Sequence, residues 1–170
     1  KYLSFFDEKK VELYLKKRFP GRHFFSRSKN KIKEAKAIIE QMGSLQCRPM
    51  LLSYIDKLME SPIARTPQSE YKIYNALVDS WLNREEAKSQ IPKRELFKAC
   101  EILAKEMSIK GLRDIPETGL DILIADIAEL RNVKAIDIKG RSLLNRNSGG
   151  AYRFSHQSIQ EFLTARYCLE

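Results

Sequence analysis

The fold is decided by the stretch SLLNRNSGGAYRFSHQSIQEFLTAR, residues 142–166, near the end of the 170-residue chain. Two short strand-like runs, 142–146 and 151–155, flank the turn sequence Asn147-Ser148-Gly149-Gly150. Glycines at a tight connection between two such runs are typical of a β-hairpin. From Ser155 onward the apolar residues recur at helical spacing, which predicts a helix directly after the hairpin.

Three helices are predicted before the hairpin. The first has Thr66 as its N-cap and Pro67 at its first position, and the second follows Pro92 and ends at Gly111. The third spans Thr118 to Leu130, where apolar residues again recur every three or four positions. Helix, helix, helix, hairpin, helix is the element order of a winged-helix domain, with the hairpin as its wing.

The part of the chain before this domain is also helical. Asp7 is the predicted N-cap of a first helix, Gly43 ends a second, and Pro49 begins a third that is apolar on all sides and therefore buried. We thus predict a mainly α fold, with a small helical bundle in residues 1–64 and a winged-helix domain in residues 65–170.

The composition is that of a globular protein with a core. Hydrophobic residues make up 43% of the chain, and 7 Gly and 6 Pro are too few for a disordered or loop-rich protein. No apolar run approaches the roughly 20 residues that a membrane span requires. No signal peptide is visible, and we expect no membrane partner.

The cysteines predict neither disulfides nor a metal site. Cys47, Cys100 and Cys168 are odd in number and far apart, whereas zinc ligands are usually spaced two to four residues apart. The chain has only two histidines, His23 and His156, to complete a metal site. We therefore predict no metal, and buried free thiols in a reducing, cytoplasmic protein.

Positive charge is concentrated in the first third of the chain. Lys and Arg number 31 and Asp and Glu 22, which gives a net charge of +9. Residues 1–49 hold 13 of the former and 5 of the latter, a balance of +8. This segment is either a surface for polyphosphate, nucleic acid or an acidic partner, or a solvated helix face. The second interpretation is favoured, because few aromatic residues interleave the charges.

No motif for catalysis is present. The sequence contains neither a Gly-x-x-x-x-Gly-Lys-Ser/Thr phosphate loop nor a Gly-x-Gly-x-x-Gly run. Ser155 and His156 are adjacent, but a catalytic triad also needs an orienting carboxylate and a spatial arrangement that adjacency does not provide. We predict no enzyme active site and no catalytic residue in this chain.

Residues 152–165, YRFSHQSIQEFLTA, closely resemble the end of the winged-helix domain in NACHT-type NTPases. These proteins belong to the STAND class of signalling ATPases, which includes NOD-like receptors and bacterial antiviral relatives. The shared pattern is an aromatic residue, a histidine and a Gln-Glu-Phe run. Upstream, residues 45–52, LQCRPMLL, are similar to the helical-domain motif in which a proline precedes a Leu-Leu helix. The two motifs lie in the family's order and at about its spacing, so the resemblance covers nearly the whole chain.

The resemblance implies a nucleotide switch. In such proteins a P-loop domain binds ATP or ADP with Mg²⁺, and the helical and winged-helix domains close over it. The proline matching Pro49 lies against the adenine, and the histidine matching His156 reaches the ADP β-phosphate and helps hold the resting form. Taken without the family, Pro49 is a first-position helix proline and His156 a helix cap. Arg48 departs from the small or neutral residue common in the family, and its role stays open.

The resemblance also implies which partners lie outside the sequence. We expect a piece of a longer protein that is itself an ATPase, with the P-loop domain, the effector and the sensor elsewhere in that protein. Activation would expose surfaces for self-oligomerisation, in defence or signal transduction. We expect no cofactor, no ATP hydrolysis and at most weak nucleotide affinity for these 170 residues alone, because phosphoryl transfer needs a phosphate loop and Mg²⁺ ligands.

The alternative hypothesis is a winged-helix module that binds nucleic acid. Winged helices commonly place their third helix in the major groove of DNA. Here that helix carries Asp121, Asp126 and Glu129, with no basic residue before Arg131. Phosphates would repel such a helix, so the sequence disfavours nucleic acid as a partner.

Overall fold

The computed structural model describes residues 6–20, 26–41, 52–60, 69–86, 91–130, 138–139 and 143–169. These residues are mainly helical, with a two-stranded antiparallel hairpin near the C-terminus, as the sequence predicts. The elements are α1 (Glu8–Arg18), α2 (Ser26–Gln41), α3 (Ile55–Glu60), α4 (Glu70–Glu86), α5 (Lys93–Ile109), α6 (Glu117–Asp126), a 3₁₀ helix (Ala128–Leu130), β1 (Leu144–Arg146), β2 (Tyr152–Phe154) and α7 (Gln157–Leu169).

The chain divides into two compact units, Lys1–Leu77 and Val78–Glu170, so that α4 belongs to both. The predicted boundary between residues 64 and 65 lies outside the described residues and stays a prediction. None of the described helices is both long enough and apolar enough to span a membrane.

In the first unit, a side-chain cap and an ion pair hold the ends of α1. The carboxylate of Asp7 accepts a hydrogen bond from the Lys10 backbone N–H at 2.8 Å, which confirms the predicted N-cap. At the other end the Arg18 guanidinium binds the Asp56 carboxylate of α3. The buried apolar residues of the described part of this unit include Val11, Leu15, Ile38, Ile39, Leu52, Ile55 and Leu58.

Helix α4 begins later than the sequence predicts. Ser69 is not helical, and its hydroxyl accepts a hydrogen bond from the Lys72 backbone N–H at 3.4 Å. Ser69 therefore occupies the capping position that was predicted for Thr66, a residue outside the described part of the chain. Gly43, the predicted end of α2, and Pro49, the predicted start of the third helix, also lie outside it.

Helix α5 begins after Pro92 and ends before Gly111, as predicted. Gly111 adopts a φ of +64°, a left-handed conformation that costs glycine little. This conformation allows the Leu112 N–H to donate to the Met107 carbonyl at 2.8 Å and the Gly111 N–H to donate to Ser108 at 3.0 Å. The pair of bonds forms a Schellman motif, which satisfies the last carbonyls of the helix.

The predicted third helix of the winged-helix domain is shorter than expected. The α-helix α6 ends at Asp126, because Ile127 is extended with φ −90° and ψ 112°. Ala128–Leu130 then forms a separate 3₁₀ turn, which buries Leu130 completely. The apolar spacing that predicted one helix to Leu130 therefore comes from two consecutive elements.

The predicted hairpin forms, and a third backbone segment, at Ile115, pairs with its second strand. Leu144 pairs with Phe154 and Arg146 with Tyr152 across the hairpin. In the turn, the Asn147 side-chain oxygen accepts hydrogen bonds from the Gly149 and Ala151 backbone N–H groups at 2.9 and 3.0 Å. On the other edge of β2, Ile115 exchanges two backbone hydrogen bonds with Tyr152, both 2.8 Å.

A nearly buried ion pair joins α5 to α7, the two helices that pack most extensively in the described residues. Glu101 on α5 is only 2% exposed, and the Arg166 Nε donates to its carboxylate at 2.6 Å. The Arg166 guanidinium also lies 4.3 Å from the centre of the Phe97 ring. Lys98 is a more distant second cation, 3.6 Å from the same carboxylate.

This pair should make a measurable contribution to stability. We expect Arg166→Met, which keeps a long apolar side chain over Phe97, to lower the free energy of unfolding by about 2–4 kcal/mol, because Glu101 then stays buried without its main partner. Urea unfolding followed through Trp81, the single tryptophan, measures the loss.

The double variant Glu101→Gln Arg166→Met is the control, since it removes both charges and should unfold at a higher urea concentration than Arg166→Met alone. Equal stability of the single and the double variant would contradict the ion-pair explanation.

The cysteines differ in environment. Cys100 is buried in α5, which confirms the prediction, and burial raises the pKa of its thiol to about 12. Cys168, predicted to be buried, is exposed in the last turn of α7, so that prediction was wrong. Its apolar neighbours in sequence do not all face the core, because a helix turns successive residues in different directions. Cys47 lies outside the described residues.

The two described thiols should therefore react at different rates. In a Cys47→Ser variant at pH 8 we expect iodoacetamide to modify Cys168 within minutes and to leave Cys100 intact, because burial keeps the Cys100 thiol protonated and out of contact with the reagent. Mass spectrometry of the folded chain should show one modified thiol, and of the urea-unfolded chain two. Modification of both at equal rates in the folded chain would contradict the burial of Cys100.

Candidate functional site

His156 lies between the wing and the last helix, and it caps that helix. Its side chain is exposed. The ring nitrogen Nδ1 accepts a hydrogen bond from the Ser158 backbone N–H at 3.2 Å and lies 2.7 Å from the Ser158 hydroxyl oxygen. A backbone N–H can only donate, so Nδ1 carries no proton in this arrangement. The proton of the neutral ring is then on Nε2, which becomes a hydrogen-bond donor.

An open pocket of about 410 Å³ adjoins this histidine within the second unit. Two arginines and one aspartate line it, together with amide, hydroxyl and aromatic side chains. The lining residues are Arg113, Asp114, Arg153, Phe154, Ser155, His156, Gln157 and Gln160. We call this space the His156 pocket.

The backbone pairing of β2 explains why these residues lie together. The Ile115–Tyr152 bonds place residues 113 and 114 alongside the residues that follow Tyr152. The Asn147 side-chain amide in the wing turn donates to the Asp114 carboxylate at 3.0 Å and so also ties Asp114 to the wing. Four residues after Tyr152 the chain reaches His156, which caps α7.

Gln160 forms the floor of the pocket on the α7 side and is 7% exposed. Its amide nitrogen donates to the Ser108 hydroxyl at 3.2 Å and to the Leu112 carbonyl at 3.1 Å. Gln160 therefore fastens α7 to the C-terminal end of α5.

Of the two residues predicted to bind nucleotide, one lies in the described part of the chain. His156 lies at the pocket, whereas Pro49, like Arg48, is outside the described residues. Sequence reasoning missed Arg113 and Arg153. Arg153 stands three residues before His156, within the segment YRFSHQSIQEFLTA, and could have been suspected. Nothing in the local sequence indicates Arg113, which reaches the pocket through the Ile115–Tyr152 pairing.

Two of the three carboxylates of α6, those of Glu117 and Asp121, form ion pairs. The Lys139 ammonium lies 2.6 Å from the Asp121 carboxylate and 3.1 Å from that of Glu117. The hydrogen bond with Asp121 raises the pKa of Lys139, and the bond with Glu117 acts in the same direction. Arg146 binds Glu117 as well, at 2.9 Å. Within the described residues no group of three His, Cys, Asp or Glu side chains is arranged to hold a metal ion.

Comparison with known proteins finds no matching family model, curated protein or solved structure. The interpretation of the pocket therefore depends on the chemistry of its own residues and on the sequence motifs.

The acidic character of α6 generates a prediction about nucleic acid. Asp121 and Asp126 are exposed on this helix, so we expect duplex DNA to bind the chain only weakly and without sequence preference, through lysines and arginines of the first third. Raising the salt concentration from about 50 to 200 mM should release it. Fluorescence anisotropy with two unrelated duplexes measures both properties. A footprint on one sequence that survives the higher salt would favour the DNA-binding alternative.

Proposed function

We propose that the chain is the helical and winged-helix segment of a nucleotide-switched signalling ATPase of the NACHT type. In this role it closes over ADP or ATP bound by a P-loop domain of the same protein. The closed form is the resting form, and its opening leads to self-oligomerisation and to engagement of effector and sensor domains outside the chain. We propose a cytoplasmic location, because the reduced thiols suit a reducing compartment.

The observation that supports this proposal best is the orientation of the His156 ring. Nδ1 accepts a hydrogen bond from the Ser158 N–H, so the proton of the neutral ring is on Nε2, and the ring lies beside a pocket with two arginines. Phosphate oxygens are strong acceptors for imidazole and guanidinium N–H groups. The first N–H groups of α7 add positive potential at the same end of the helix.

The chemistry that the site supports is binding. His156 donates one hydrogen bond, and the pocket supplies charge, but it has no loop of backbone N–H groups to cradle phosphates and no set of Mg²⁺ ligands among its lining residues. In the proposed protein the P-loop domain binds the nucleotide and Mg²⁺ and carries out hydrolysis. Pro49, by the family resemblance, contacts the adenine.

The switch follows from a contact made in only one state. A hydrogen bond to a charged group contributes about 1.5–3 kcal/mol net. If the bond from His156 to the β-phosphate exists only in the closed state, it favours that state by roughly 10- to 150-fold. A contact of equal strength in both states would not shift the balance at all. The differential contact is therefore what makes His156 a sensor of bound nucleotide.

Two variants of the full-length protein separate the role of His156 as a ligand from its role as a cap. His156→Asn keeps a good N-cap but removes the long-reaching Nε2–H, whereas His156→Ala removes both. We expect both variants to lose copurified ADP and to oligomerise without their trigger. ADP content after purification, measured by chromatography of the denatured protein, and size-exclusion chromatography are the readouts.

Thermal unfolding of the same variants provides the control. His156→Asn should unfold at the wild-type temperature, and His156→Ala should lose about 1 kcal/mol because the cap is gone. Full ADP content and unchanged resting behaviour in His156→Asn would show that His156 is only a cap and would refute the proposed function.

A further inference from the structure

The His156 pocket contains more positive charge than its own carboxylate can neutralise. Arg113 and Arg153 line it with a single aspartate, Asp114. Within the part of the chain that the structure describes, neither guanidinium makes an ion pair or a hydrogen bond, and Asp114 is bonded to the Asn147 amide instead. Other described arginines do bind carboxylates, namely Arg18, Arg146 and Arg166.

The two arginines are held near each other by backbone and not by a partner side chain. Arg153 directly follows Tyr152 in β2, and Arg113 precedes Ile115 by two residues. The two 2.8 Å hydrogen bonds between Tyr152 and Ile115 therefore determine the separation of the two main-chain segments. These bonds join main-chain atoms, so a change in the rotamer of either arginine leaves them intact.

A hydroxyl group in the pocket also lacks a partner. Ser155 Oγ is buried and has no hydrogen-bond partner among the described residues. A buried polar group without a hydrogen bond costs free energy, and such groups are uncommon in native proteins. Ser155 is adjacent to His156 and lines the same pocket, so its hydroxyl would have to rotate about the Cα–Cβ bond before it could donate to a bound anion.

We propose that Arg113 and Arg153 bind two adjacent phosphates and make the His156 pocket selective for a diphosphate group over a single phosphate. Each planar guanidinium can donate two parallel hydrogen bonds to phosphate oxygens, which an ammonium group cannot do. A diphosphate offers one phosphate to each of the two guanidinium groups, whereas inorganic phosphate has only one to offer to both. The identification of the ligand as a nucleotide rests on the proposed function, whereas the preference for a diphosphate rests on the pocket alone.

The test uses inorganic pyrophosphate and inorganic phosphate as probes of the 170-residue chain. The chain has only two histidines, so the ring signals of His156 can be followed by NMR with those of His23 as an internal reference. We expect pyrophosphate to shift the His156 signals and to leave those of His23 unchanged. We expect it to bind roughly ten-fold more tightly than phosphate.

Variants of the arginines identify the ligands. Arg113→Gln and Arg153→Gln should each weaken pyrophosphate binding roughly 3- to 10-fold, since exposed charges contribute less than buried ones. Arg113→Lys and Arg153→Lys should bind pyrophosphate with an affinity between those of the glutamine variants and wild type. Lysine keeps the positive charge but lacks the two parallel N–H donors of the guanidinium. Arg94→Gln, an exposed arginine on α5 that does not line the pocket, is the matched control and should change the affinity less than two-fold.

Three results would overturn the proposal: equal affinity for pyrophosphate and phosphate, wild-type affinity in the double variant Arg113→Gln Arg153→Gln, or an equal loss in Arg94→Gln. The last result would mean that net charge alone attracts the anion.

These outcomes are separate from the His156 test in the full-length protein. Arginine-dependent pyrophosphate binding with full ADP content in His156→Asn would support the diphosphate site and refute the nucleotide switch. Loss of ADP in His156→Asn, together with pyrophosphate binding that does not depend on the arginines, would support the nucleotide switch and refute the diphosphate site.

Discussion

The pocket beside His156 depends on the backbone pairing of one short strand. Tyr152 exchanges two 2.8 Å hydrogen bonds with Ile115 on one edge of β2, and the same residue pairs with Arg146 across the hairpin on the other. A strand paired on both edges has few ways to shift, because a slip of one residue would turn every side chain to the opposite face. This pairing brings Arg113 and Arg153 to one place, although the two residues are 40 positions apart in sequence.

Helix α7 links that pocket to the core. Its first turn is capped by His156, and its middle is fastened to the end of α5 by Gln160. Further along, the pair between Arg166 and the buried Glu101 holds the two helices together a second time. The helix that begins at His156 is thus held by polar contacts at its start, middle and end, in addition to its buried apolar residues Ile159, Phe162 and Leu163.

The distribution of charge separates the two proposed ligand classes, nucleotide and DNA. On α6 Asp121 and Glu117 are paired with Lys139 and Arg146, while Asp126 is exposed on the helix that would have to enter a DNA groove. The pocket beside His156 instead has an excess of positive charge, because it is lined by two guanidinium groups and one carboxylate that is already bonded to Asn147. An anionic small group suits the pocket, and a long polyanion does not suit α6.

Local sequence signals account for the helices, the hairpin and their order, because helical spacing, capping residues and turn glycines act over only a few positions. Asp7, Pro92, Gly111 and Asn147 mark ends and turns where they were predicted. His156 was identified from a local motif, and its place at a helix start also follows from local sequence. Only the tertiary structure decided that α6 stops at Asp126, that Cys168 is exposed, and that Gln160 contacts α5. The position of Arg113 at the pocket also depends on tertiary structure, because it follows from the hydrogen bonds between Ile115 and Tyr152, which are far apart in the chain. Local propensity acts between neighbouring residues, whereas these features depend on pairing and packing between segments that are distant in sequence.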